Sequence, residues 1–270
     1  MQLRGASADA LAALSQHLGE RLQGGSDAAR ISEDLFTVAS LLRAEPGLRR
    51  VTTDVSVEPE AKQRLVEGIL GGKVDPAALV LVSEAVGRRW TVGRDLADSL
   101  ERLAEVAAVR SAGDADAGRL ADELFTVQQT VARNPELRDA LADSTRSEAD
   151  RTALVRSLLE GKALSATVAL VTRAVSSSYR TIDTALAAYQ QVAAEVNGER
   201  VATVRTAHAL GDADRTRLAD ALSRQYGRTV HLNVVVDPTV LGGLSVEIGD
   251  EVIDGTVASR LDDARRKLAG

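Results

Sequence analysis

The sequence predicts a mainly α-helical protein that ends in a small α+β unit. Three observations point there. Leu, Val, Ile and Ala recur at helical spacing as far as Gly198, and beyond it the spacing shifts to alternate positions. Aromatic residues make up only 2% of the 270-residue chain, against 44% hydrophobic residues overall, so the core must be aliphatic. Such cores suit packed helices, whose ridges interlock through small and branched side chains. The third observation is an internal repeat. Residues 34–54 read DLFTVASLLRAEPGLRRVTTD, and residues 123–143 read ELFTVQQTVARNPELRDALAD. At the same offset Leu65-Val66 falls on Leu154-Val155, Gly72-Lys73 on Gly161-Lys162, Leu81-Val82 on Leu170-Val171, and Trp90 on Tyr179. The length calls for two or three compact units. The expected division is a helical bundle over 1–110, its repeat over 111–198, and a mixed helix and hairpin module over 199–270.

The elements follow in order. Leu11, Leu14, Leu18 and Leu22 form one apolar stripe, with Ser7 as candidate N-cap. Ile31, Leu35, Val38 and Leu42 form a second, broken at Glu45-Pro46-Gly47 because proline cannot continue a helix interior. A helix from Pro59 carries Leu65, Ile69 and Leu70 and stops at Gly71-Gly72. Asp75-Pro76 is an N-cap followed by proline at the first helical position, opening a helix with Leu79, Val82 and Val86. A longer helix carries Val92, Leu96, Leu100, Leu103 and Val106.

The second copy repeats this grammar. Leu120, Leu124, Val127 and Val131 form a stripe that Asn134-Pro135 interrupts. Ser147 and Asp150 approximate a capping box ahead of Leu154, Leu158 and Leu159, and Gly161 ends that helix. Val168, Val171 and Val175 mark the next, and Ile182, Leu186, Tyr189 and Val192 the last. Beyond Gly198, Val201–Thr206 reads as a strand rich in Val and Thr. Leu218, Leu222 and Tyr226 share a helical face between Asp212 and Gly227. Val230, Leu232, Val234 and Val236 alternate strictly, as do Leu244, Val246 and Ile248. Gly249-Asp250 is a tight hairpin signal, and Val252 starts the return strand. Asp254-Gly255-Thr256 leads into a final helix with Val257, Leu261, Ala264 and Leu268, whose last turn holds Arg265, Arg266 and Lys267.

Reactive chemistry finds little support. The net charge of −6 opposes non-specific nucleic-acid binding, and the scarcity of aromatics opposes stacking platforms. With no cysteine, thiol catalysis and thiolate metal sites are excluded. Gly71-Gly72-Lys73 and Gly161-Lys162 lack the remaining glycine and the Ser or Thr of a phosphate loop, and read as helix stops. Gly242-Gly243 and Gly249 lie between strands, with no helix N-terminus to hold a pyrophosphate. His17, His208 and His231 lack metal spacing, and His231 is expected in solvent, opposite Val230 and Leu232. Asp237, Asp250 and Asp254 cluster at turns but lack the alternating ligands of a calcium loop, and are read as turn and cap residues. No cofactor is expected. No apolar run is long enough for a bilayer span, and no signal peptide is evident, so a cytoplasmic protein is expected, with any membrane association made through a partner.

What remains is a protein that works through its surfaces. Val236-Asp237-Pro238, Leu241-Gly242-Gly243, Gly249-Asp250 and Ile253-Asp254-Gly255-Thr256 together resemble the signature of the delta subunit (OSCP family) of F-type ATP synthases. The second helical copy, including Asn134-Pro135-Glu136-Leu137, resembles the family's N-terminal bundle. The first copy is a departure, since the usual member has a single bundle. The resemblance implies a non-catalytic stator subunit at the cytoplasmic face of the cell membrane. It would grip the amphipathic N-terminal helices of alpha subunits, hold the b subunit of the peripheral stalk through its C-terminal domain, and so stop the head turning with the rotor. It assigns Asp237, Pro238, Gly242, Gly243, Gly249, Asp250, Asp254 and Gly255 a structural or docking role. The alternative is a free-standing helical adaptor or chaperone-like binding module, because repeats provide extended surfaces.

Overall fold

The structure is a computed structural model that describes residues 3–257 and 259. Mainly helical, it carries a small mixed sheet near its C-terminus. The first copy comprises α1 (Ala6–Gln23), α2 (Ala28–Ala44), α3 (Pro46–Thr53), α4 (Pro59–Leu70), α5 (Pro76–Gly87) and α6 (Asp95–Arg110). The second comprises α7 (Ala117–Arg133), α8 (Pro135–Ala142), α9 (Glu148–Leu159), α10 (Ser165–Ala174) and α11 (Ile182–Val196). The C-terminal unit is β1 (Arg200–Thr206), α12 (Asp212–Tyr226), β2 (Val230–Val236), β3 (Leu244–Ile248) and β4 (Glu251–Asp254). The final helix expected around Leu261, Ala264 and Leu268 lies outside the described residues.

The stop and start signals act locally. Asp75 accepts the N–H of Ala77 at 2.7 Å with Pro76 at the first helical position, and Ser147 accepts the N–H of Asp150 at 3.1 Å. Gly72, Gly161, Gly198 and Gly227 all have positive φ just beyond helix ends. The two predicted breaks are not loops. Pro46 and Pro135 each end one helix and open a short second one, since a proline that cannot sit mid-helix suits its first turn.

Several positions differ from the sequence reading. Ser7 is not a cap: one residue inside α1 and fully buried, its hydroxyl donates to Asp95 at 2.7 Å and accepts the N–H of Thr91 at 2.8 Å. It thereby ties the start of α1 to the start of α6. Val92 precedes α6 and is exposed. Leu65 and Leu158 are exposed, while Val66 and Val155 enter the core. Val66 and Val155 stand at equivalent positions, so the two copies turn that face of the helix inward.

A further interaction repeats with the sequence. On α2, Asp34 accepts the backbone N–H of Asp75 at 2.6 Å; at the equivalent place on α7, Glu123 accepts the N–H of Leu164 at 2.9 Å. In each copy a carboxylate, from α2 or its counterpart α7, satisfies an orphan donor at the start of α5 or its counterpart α10.

The two copies share a core. One hydrophobic cluster runs from Ala10 to Ala193 without interruption. Its centre is α6, on which twelve of sixteen residues are buried. The reason lies in the repeat. At the repeat offset α1 falls on α6, with Asp9, Leu11 and Leu14 matching Asp98, Leu100 and Leu103, and α6 falls on α11. Helix α6 packs against α1, α2 and α5 of one copy and against α7, α10 and α11 of the other. It is the last helix of the first copy and occupies the place of the first helix in the second. A helix with two sets of neighbours has almost no face left for solvent.

The sheet has the order β2-β1-β3-β4. Strands β1 and β2 are parallel, joined by α12, and β3 and β4 are an antiparallel hairpin added on the far side of β1. One face packs Ala202, Val204, Val230, Leu232, Val246 and Ile248 against Leu218, Leu222 and Tyr226 of α12. The other face meets α7 and α11, so the alternate positions of β2 are not in solvent. Asn233 is 4% exposed and donates to Gln190 at 2.8 Å, and His231 is half-buried with Nε2 3.3 Å from Asp122.

Candidate functional site

The eight signature residues divide between the two ends of the sheet. Thr206 pairs with Val236 and Leu244, and Ser245 with Asp254. That register gathers Asp237, Pro238, Gly242, Gly243, Asp254 and Gly255 at one end and leaves Gly249 and Asp250 in the hairpin turn at the other.

At the gathered end each residue shapes the chain. The backbone N–H of Asp237 donates to Thr206 at 2.9 Å, extending the ladder by one bond. Its carboxylate accepts the hydroxyl of Thr239 at 2.7 Å and its N–H at 2.9 Å. Those two bonds, the hydroxyl first, hold its pKa below the usual carboxylate range. Pro238 then begins the turn that leads to Leu241, which is 80% exposed. Asp254 does the same for Thr256, accepting its N–H at 2.9 Å. The Thr256 hydroxyl, not Asp254, accepts the N–H of Ser259 at 3.3 Å and so takes the N-cap geometry. Gly243 is required by closeness: with φ 78, a Cβ there would lie 2.4 Å from the carbonyl oxygen of Gly255. Gly255 donates to Leu244 at 2.9 Å, and Val257 donates to Gly242 at 3.0 Å. The two glycine segments therefore lie backbone against backbone. In the hairpin, Gly249 has φ 60 and Asp250 is exposed.

The Asp-x-Ser/Thr turn also occurs at Asp54 with Ser56 and at Asp143 with Thr145, equivalent places in the two copies. This motif is a structural device of the chain rather than a mark of one site.

A polar joint that single-residue reading missed lies where the two copies meet on α6. Glu101 and Glu105 are 3% and 1% exposed. Arg43 of α2 reaches Glu101 at 2.5 Å and Asp98 at 3.0 Å, while Ser178 donates its N–H to Glu101 at 3.2 Å and its hydroxyl to the same carboxylate. Tyr179 donates to Glu105 at 2.9 Å, and Arg102 lies 3.3 Å from Glu105 and also pairs with Glu195 of α11. Burial pushes the carboxyl of Glu105 up to about 7, and burial together with Glu105 raises the Tyr179 phenol. Arg173 of α10 donates to the Phe36 carbonyl of α2 at 2.7 Å and to the Ser40 hydroxyl, with its guanidinium 4.8 Å from the Phe36 ring centre. The available signal was the repeat: Glu101 and Glu105 stand where the second copy has Gln190 and Ala194.

Two open grooves flank this joint. One, of about 760 Å³, runs between α2 on one side and α9 and α10 on the other. The second, of about 1120 Å³, lies along α1, α6 and α11. Among the described residues no group of three or more His, Cys, Asp or Glu is placed to hold a metal ion. No helix among them is long and apolar enough to cross a membrane.

Residues 102–268 match the family described as ATP synthase delta (OSCP) subunit. A Nocardioides protein named ATP synthase subunit delta is 56% identical over 99% of this chain and 98% of its own length. The chain belongs to the ATP synthase delta (OSCP) family. Proteins of the same name from Kineococcus radiotolerans and Streptomyces avermitilis are 48% and 42% identical, covering 98% and 100% of this chain and 98% and 100% of their own. These relatives therefore match along nearly the whole of this chain, both helical copies included. A chain of the Toxoplasma gondii mitochondrial ATP synthase hexamer covers 57% of this chain and 97% of its own at TM-score 0.34 and 19% identity, a likeness too low to bear on the fold. The family match begins inside α6, the helix that opens the second copy's packing.

Proposed function

We propose that this delta-family protein is a non-catalytic stator subunit of a proton-translocating F-type ATP synthase. It links the catalytic head to the b-subunit stalk so that the head does not turn with the rotor. The observation that carries this reading is near full-length identity to proteins named ATP synthase subunit delta. The geometry supports it. Interlocked helices, a continuous core and a backbone-braced sheet end make a stiff body with extended surfaces, as a stator requires. Three modules are proposed within that body: 1–110, 111–198 and 199–270. The helical part takes N-terminal helices of alpha subunits, and the C-terminal module holds the b subunit through the end of the sheet carrying Asp237, Pro238, Gly242, Gly243, Asp254 and Gly255. Gly249 and Asp250 shape the opposite hairpin. The protein then sits peripherally at the cytoplasmic face of the membrane, through its complex.

The test is reconstitution with the cognate subunits. Full-length protein should bind a synthetic peptide of the alpha-subunit N-terminus and, independently, the soluble part of the b subunit. Absence of both interactions would refute the proposal.

A further inference from the structure

Helices α1, α6 and α11 hold equivalent places along the repeat, and α6 alone carries carboxylates at two of them. Glu101 and Glu105 stand where α1 has Ala12 and Gln16 and where α11 has Gln190 and Ala194. The segment these glutamates hold is just as particular. Ser178 and Tyr179, between α10 and α11, donate three hydrogen bonds to them. At the equivalent place in the first copy, the indole N–H of Trp90 donates instead to the carbonyl of Ala85 at 2.9 Å. The second copy's turn is therefore tied to the first copy's last helix through two ionisable groups one helical turn apart.

The two glutamates are not equally provided for. Arg43 of α2 serves Glu101 at 2.5 Å, along with Asp98. Arg173 of α10 faces Glu101 but spends its hydrogen bonds on Phe36 and Ser40. Arg102 divides between Glu105 and Glu195 of α11, so Glu105 has no guanidinium of its own. From α1 the adjoining groove receives only Ala8, Leu11, Ala12 and Ser15; Arg4, Arg49 and Arg94 also line it, and none of them pairs with Glu105. Tyr189 of α11 packs edge-on against Tyr179, ring centres 5.9 Å apart, and its buried hydroxyl has no hydrogen-bond partner among the described residues. Water would satisfy that hydroxyl and solvate a Glu105 carboxylate together. It is close at hand: Glu105 is 1% exposed, yet both it and Tyr179 border the open groove of about 1120 Å³.

We propose that this joint is a proton-operated clasp between the two copies. While Glu105 is neutral, the segment carrying Ser178 and Tyr179 stays closed on α6. When Glu105 ionises, water enters from the groove, the segment lifts, and the contact between the copies loosens. The direction follows from linkage. The carboxyl is held at about 7 by burial when closed, and returns toward its ordinary value of 4.5 once solvated. Closure is thus fully supported below about pH 5 and weakens as pH rises to about 7. The closed-to-open ratio falls by at most roughly 300-fold over that range. The clasp lies within this chain and is independent of what its surfaces bind.

The experiment follows amide hydrogen exchange in the full-length protein at pH 5.5 and pH 7.5, each rate corrected for the intrinsic pH dependence of exchange. Protection over residues 175–186 should fall about tenfold or more between the two pH values. Protection over α4, which packs mainly on α5, should stay constant. In Glu105→Gln the fall over 175–186 should disappear. In Tyr179→Phe that segment should already exchange several-fold faster than wild type at pH 5.5. The clasp is overturned if wild-type protection over 175–186 does not change with pH, or if the change persists in Glu105→Gln. An equal loss of protection in α4 would also overturn it, because the whole fold and not the joint would then be responding. So would wild-type protection in Tyr179→Phe at pH 5.5.

Discussion

Glu105 shows how much one buried group can cost. Its carboxyl sits in the joint on α6, shielded from water and beside Glu101, with Tyr179 and Arg102 as partners. Burial raises its pKa from 4.5 to about 7, so the folded protein holds this proton over a range where the unfolded chain has released it. The penalty is absent below the unfolded value, grows as pH rises from about 5 to 7, and is then constant at roughly 3 kcal/mol. Glu105→Gln keeps an acceptor for Tyr179 and removes the charge. Its melting temperature should exceed that of the wild type at pH 8 and converge with it at pH 5. Equal stabilities at both pH values would show that the carboxyl is not held neutral in the fold. The exposed aspartates behave oppositely. Asp54, Asp143, Asp237 and Asp254 have lowered pKa values through hydrogen bonds to the Ser or Thr two residues on, so what they contribute is present at neutral pH and lost in acid. The sequence identified Asp237 and Asp254 as turn residues because such bonds are local. It could not identify Glu105, since nothing local distinguishes a buried acid from one on a solvated face.

Among the elements, the buried face of helices with a single partner surface was legible, and the all-round burial of α6 was not. Leu35 on α2 and Leu124 on α7 stand at equivalent positions and are both fully buried, as their stripes predict. Leu35→Ala and Leu124→Ala should each lower stability by about 2–5 kcal/mol in denaturant melts. A change below measurement error in both would disprove the placement. Helix α6 carries a recognisable stripe, yet it buries residues all round, including Ser99 and two glutamates, because helices from both copies surround it. Strand β2 shows the same limit. Its alternation predicted one solvent face, but α7 and α11 cover that face, and Asn233 and Gln190 satisfy each other there. Alternation reports which face is apolar. It does not report whether the polar face meets water or another polar surface.

For the whole molecule the decisive fact is that the two copies are interlocked and not strung together. Their common core passes through α6, so unfolding of the helical part should be one cooperative transition. A fragment beginning at Asp95 keeps α6, whereas one beginning at Ala117 removes a helix that packs on α7, α10 and α11. The longer fragment should retain a sigmoidal melt by far-UV circular dichroism, and the shorter should lose it or melt far lower. Similar melts would mean that α6 contributes little to the second copy.

The sequence by itself determined the class of fold, the duplication, the longer helices with several of their stops, and the family. These depend on periodicity, on proline and glycine, and on short motifs whose physics acts within a few residues. Only the tertiary structure decided that α6 serves both copies, that charged groups line their joint, that β1 and β2 run parallel, and that a groove opens between α2 and α10. Each of these depends on which surfaces meet across dozens of residues, and apolar stripes that would fit many partners do not encode that choice locally.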